Sequence, residues 1–193
     1  MGRLKNIVAN KEMPTTVRCA ALETAALANG KTMIDSLQRY IVSACLDTSE
    51  KRPHADDALA AEALRSLAIY RSVDEDPLFA TALSHPAKSV QLAALEAWET
   101  STGRLPPPVE ILDLLDNRQQ QVRESALRVL SIRPIPGSYA RIQRMMMDPH
   151  YQVQQAAVLA MVSVNRPQAL SDLKTRIEQD RKSTRLNSSH TSI

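Results

Sequence analysis

The chain has 193 residues, with only one Phe, one Trp and four Tyr, and a formal charge of +3. Arg181, Lys182 and Arg185 account for all of that charge, leaving 21 basic against 21 acidic residues in the rest. The composition excludes a core built on large aromatic rings, and the neutral balance of 1–180 argues against a generic attraction to nucleic-acid phosphate.

Leu4, Ile7 and Val8 could form the last turns of a helix, in a stretch too short to specify one. From Pro14 to Ala28 small and apolar residues keep helical spacing, and Asn29-Gly30 closes that helix, because Gly suits the left-handed conformation beyond a helix end. Met33, Ile34, Leu37, Tyr40, Ile41, Ala44 and Cys45 predict a longer helix to about Leu46, followed by a polar loop from Asp47 to His54. A helix over 55–71 and an acidic turn, Val73-Asp74-Glu75-Asp76, come next. From there the helices pair: 77–84 with 87–101, 107–115 with 119–132, and 137–147 with 150–164. His85-Pro86 and Asp148-Pro149 put Pro where a missing N–H costs nothing, and Pro106-Pro107-Pro108 and Pro134-Ile135-Pro136-Gly137 separate units in the same way. A last helix is predicted over 167–179.

One pattern recurs along this series. Three, four, seven and eight residues after Val153 stand Ala156, Ala157, Ala160 and Met161, one face of a helix. The same spacing starts at Val122, Val90, Leu59 and Val17, so the origins lie 31, 32, 31 and 42 residues apart. A fixed period of this size predicts an all-α chain, an α-solenoid of about five repeats over residues 1–180, with the polar segment Asp47 to His54 as the insertion behind the one long interval. The array begins and ends on internal-looking helices, so a longer natural protein is expected. Residues 181–193 are polar and aperiodic, and they resemble the translated adapter read-through that ends some conceptual proteins. They are expected to be a disordered, non-native tail.

The unit Val-Arg/Gln-x-Ala/Ser-Ala, read at Val17-Arg18, Val90-Gln91, Val122-Arg123 and Val153-Gln154, resembles the inner helix of HEAT repeats, in particular the short bacterial branch that includes the phycobilisome-lyase-like repeats. The likeness covers about residues 12–179. The second copy departs from it with Leu59-Ala60. The resemblance implies a right-handed superhelix of antiparallel helix pairs whose second helices line a concave face. It also implies that the residue beside the origin, Arg18, Gln91, Arg123 or Gln154, bonds between repeats to an acidic loop residue such as Asp116 or Asp148, or else offers a polar row to an extended partner.

Other residues point to structure before chemistry. His54, His85 and His150 precede inner helices, one per repeat, too far apart for a shared metal when stacked helices stand about 8–10 Å apart. Met145-Met146-Met147 reads as partly core and partly exposed, Trp98 as packing, and Cys19 and Cys45 as small buried hydrophobes without a CxxC pair. The acid pairs Asp56-Asp57 and Asp74/Asp76 fall in turns, as helix caps. No Gly-rich phosphate loop, GxSxG, HExxH or CxxCH occurs, so neither a catalytic residue nor a cofactor or metal is expected. The expected role is a scaffold presenting its curved surface to another protein or to a neighbouring domain of the same chain, with no nucleic acid and no membrane. The alternative is an accessory array of an enzyme, similar to bilin lyases or to HEAT regions fused to cytochrome or dehydrogenase-like domains. The default location is the cytoplasm.

Overall fold

The computed structural model describes residues 2–28, 55–69, 72–74, 76–103 and 105–189; the helix expected from Met33 to Leu46 and the loop after it, with Cys45 and His54, lie outside the described residues. Among the described residues every regular element is helical. In order these are α1 (Gly2–Ala9), α2 (Thr15–Ala28), α3 (Ala55–Ala68), α4 (Pro77–Leu83) and α5 (Lys88–Thr100). A 3-10 segment, Val109–Asp116, leads to α6 (Gln120–Ile132). Then α7 (Tyr139–Arg144) tightens into a 3-10 turn, Met145–Met147, before α8 (Tyr151–Val164) and α9 (Arg166–Ser189).

The punctuation works through identifiable groups. Asp76 caps α4 by accepting from the Leu78 amide at 3.1 Å, and Pro77 opens the helix where no amide partner is needed. Pro108 holds an extended backbone at ψ 149° before the 3-10 segment. The tighter winding there brings Ile111 and Leu114, three residues apart, onto one line toward the core. Gly137 turns the chain into α7 at φ 81°, the left-handed region that favours glycine.

Packing follows the chain: α2 lies on α3, α3 on α5, α5 on α6 and α6 on α8. The other elements dress this row, with α1 on α2, α4 on α5, the 3-10 segment on α6, and α7 and α9 on α8. In α5, α6 and α8 the spaced positions are all buried, from Val90 to Trp98, Val122 to Leu130 and Val153 to Met161. Ala93, Ala94, Ala126 and Ala157 are wholly covered, which lets neighbouring helices approach closely while Leu95, Leu127 and Leu130 fill the space between them.

Two expectations need correction. In α2 the buried set is Arg18, Ala21, Leu22 and Ala25, while Val17, the expected origin, is 43% exposed along with Ala20 and Thr24. α2 packs against α1 and α3, and the stripe it buries starts at Arg18 and not at Val17. Second, the terminal helix does not stop near residue 179 but continues through the expected tail to Ser189. Residues 168–189 contain neither Pro nor Gly, so nothing in them interrupts a helix once it has started.

Candidate interaction site

The four residues singled out beside the repeat origins turn inward. Arg18, Gln91 and Arg123 are buried and Gln154 is half-buried. Each donates to a backbone carbonyl at the end of the element before its helix. Arg18 Nε reaches Val8 O at 2.9 Å, Gln91 Nε2 reaches Leu83 O at 3.3 Å, Arg123 Nη1 reaches Asn117 O at 2.8 Å, and Gln154 Nε2 reaches Asp148 O at 2.6 Å. Helix ends leave carbonyls without intrahelical partners, and this side chain supplies one from the next helix.

The loops carry a matching device. His85 Nδ1 accepts from the Ala87 amide at 3.1 Å, Asn117 Oδ1 from Gln119 at 2.9 Å and Asp148 Oδ1 from His150 at 2.9 Å, the same two-residue turn three times. Two of these loop residues also reach back one unit. Asn117 Nδ2 donates to Gln91 Oε1 at 3.0 Å, and Asp148 receives Arg123 Nε at 2.7 Å and Nη2 at 3.0 Å. Asp148 thus takes the role expected of it. Asp116 does not: it lies on the surface with Arg141 at 3.1 Å, and its neighbour Asn117 makes the inter-unit bond. At His85 the matching position is Ala60, which has no polar side chain to offer.

The Arg123–Asp148 joint is a buried two-point ion pair. Its side chains are 10% and 5% exposed. Burial pushes the Asp148 carboxyl up, but the bonds from Arg123 and from the His150 amide and ring, with the guanidinium charge, outweigh it and hold the group below its ordinary value. The His150 ring lies 3.2 Å from both Arg123 Nη2 and Asp148 Oδ1.

A second buried node escaped the sequence reading. Arg133, which ends α6, donates to Asp74 at 2.9 Å, to Ser101 O at 2.8 Å and to Leu105 O at 3.4 Å, and its guanidinium stands 5.4 Å from the centre of the Trp98 ring. Gly103 passes so close to the Asp74 carboxylate that a β-carbon there would collide with it. Asp74 is therefore an ion-pair partner, whereas Asp76 beside it is a helix cap. Among the described residues the buried indole N–H of Trp98 has no partner. Trp98→Phe should accordingly change stability by less than about 1 kcal/mol, since removing an unpaired buried donor offsets the lost ring volume; urea midpoints of the two proteins measure it.

Shallow clefts flank these joints. One of about 560 Å³ lies between the methionine turn and α9, with Met146, Met147 and Arg176 in its wall. Met147 is exposed, while Met145 and Met146 pack partly on the core. Across the same junction Tyr139 donates to Asp172 at 2.8 Å, and burial with that bond pushes its phenol up to about 12. A cleft of about 360 Å³ lies beside Trp98, Pro106 and Pro108. Among the described residues no group of His, Cys, Asp and Glu could hold a metal, and no helix is long and apolar enough to cross a membrane. Comparison with protein-family models, curated proteins and solved structures finds no match for this chain.

Proposed function

We propose that the chain is an α-solenoid of HEAT type and serves as a binding scaffold. The inner helices α2, α3, α5, α6 and α8 line a concave surface offered to a partner protein or a neighbouring domain. The observation that carries this reading is the repetition of one joint. The loop residues Asn117 and Asp148 reach the equivalent side chains Gln91 and Arg123 one unit back, Asn117 as donor and Asp148 as acceptor. A device that links each unit only to its neighbour extends a structure in one direction and encloses no pocket. The polar residues beside the repeat origins serve that linkage. Contact with a partner falls instead to the outward side chains of the same helices.

A photo-reactive residue placed at Ile69, Thr100 or Gln155, exposed on inner helices or, for Ile69, just past the end of one, should crosslink one protein, or a further domain of the same chain, in extract of the native cell. The same probe at Glu110 or Gln143, exposed on outer elements, should not. Equal labelling from both sides, or none from the inner one, would overturn the scaffold reading.

A further inference from the structure

The inner helices keep a regular row of side chains out of the core. Six residues beyond Leu59, Val90 and Val122 stand Arg65, Glu96 and Arg128, and ten residues beyond stand Ile69, Thr100 and Ile132. Ile69 is 61% and Ile132 55% exposed, and Leu27 at the same place in α2 is 72% exposed. Ile69 and Thr100 border a groove of about 260 Å³ between α3 and α5, with Ala68 and Ala97 in its wall and Arg65 and Glu96 beside it. Among the described residues the charges along the row do not balance. Arg65 lies 3.5 Å from Glu62 and 2.9 Å from Glu96, and Arg128 lies 3.2 Å from Glu99 and 3.0 Å from Glu124, so four carboxylates share two guanidinium groups.

Resting on the scaffold reading, we infer that the outward face of α3, α5 and α6 is a docking surface for an amphipathic helix bearing Lys or Arg beside its apolar stripe. The acid surplus selects the charge of the occupant, because basic side chains find unshared carboxylate oxygens while acidic ones meet repulsion. Period selects its conformation. Packed helices stand about 8–10 Å apart, and a helix climbs about 10 Å in seven residues and returns to the same side. An extended strand covers about 10 Å in three residues, whose side chains fall on opposite faces. A helix with apolar residues seven apart can therefore meet Ile69 and Ile132 in register, two units from one to the other, with its basic residues over Glu96 and Glu99. The exposed ion pairs already present are individually weak, so sharing them with a partner costs little.

The test uses the full chain and a fluorescein-labelled peptide of leucines in heptad positions and lysines elsewhere, followed by anisotropy. Binding is expected at low salt and should weaken as salt rises. The variant E62Q/E96Q/E99Q/E124Q should bind roughly tenfold more weakly, and E110Q/D113N/D116N on the outer 3-10 segment should bind as the parent does. I69S/I132S, altered only at exposed side chains, should also lose affinity while keeping the parent's thermal midpoint. Equal binding of the peptide with Glu for Lys, or an unchanged affinity in the fourfold variant, would overturn the charge assignment. Equal binding of an isomer with a central proline would overturn the helical one. If no peptide binds while inner-face crosslinking persists, the docking proposal falls and the scaffold reading stands; if the crosslinks are missing too, both fall.

Discussion

Arg123→Ala should lower the stability of the chain by about 3–5 kcal/mol, the cost of leaving one member of a buried ion pair alone. Without the guanidinium the Asp148 carboxylate, 5% exposed, keeps among the described residues the His150 amide and ring beside it, and the carbonyls of Asn117 and Arg118 lose the Arg123 donor. The loss is at a joint between units, so urea unfolding should show its effect on both sides of that loop. Restoring neutrality should recover much of it: Arg123→Met with Asp148→Asn should cost less than the sum of the two single changes, because no buried charge remains. The pH dependence checks the same pair. The folded carboxyl titrates below its ordinary value of 3.8, so its contribution is present in full above that value and disappears as pH falls through the lower folded value. The stability gap between the parent and Asp148→Asn should therefore be constant near neutrality and close below about pH 4. A gap that persists in strong acid would mean that the pair is not what holds the joint.

The helices were legible because burial in stacked helices repeats with helical period, and Val90, Val122 and Val153 display it without interruption. The positions beside them were legible as a class, since Gln91, Arg123 and Gln154 recur at one offset, but their direction was not: a polar residue next to a core residue can point to solvent or to a carbonyl. Asn117 was missed in favour of Asp116 because the acid alone drew notice, although the two-residue turns at His85, Asn117 and Asp148 follow from their shared place before each inner helix. Arg133 had no such signal. Its partners, Ser101 and Asp74, lie 32 and 59 residues away, and no local pattern announces a contact between loops of different units. The outward row of Arg65, Glu96 and Arg128 was present at constant spacing, yet alternating charge at one offset conceals a row that apolar periodicity reveals. Val17 fits the pattern in sequence and departs from it in space, 43% exposed beside the buried Arg18, since spacing alone does not fix how far a helix is rotated against its neighbours.

Ala126→Glu should be the most damaging single change of this kind, costing about 4 kcal/mol or more. Ala126 is wholly buried in α6, and the small residues of its face are what let adjoining helices close on one another. The buried guanidinium groups of Arg123 and Arg133 already hold Asp148 and Asp74, so a carboxylate there either stays charged in the core or is forced to hold its proton. Size alone explains less: Ala126→Leu should cost about 1–3 kcal/mol by overpacking, and Ile132→Glu on the exposed end of the same helix should stay within about 0.5 kcal/mol. The introduced acid also has a diagnostic pH signature. Burial raises its folded pKa above the unfolded value of about 4.3, so the added penalty is complete above the folded value and is relieved as pH falls toward the unfolded one. Lowering the pH from neutrality toward about 4.3 should therefore narrow the deficit of Ala126→Glu relative to the parent, in a range where the Arg123–Asp148 pair is still intact. If the variant's thermal midpoint matches the parent's at neutral pH, position 126 does not lie between packed helices.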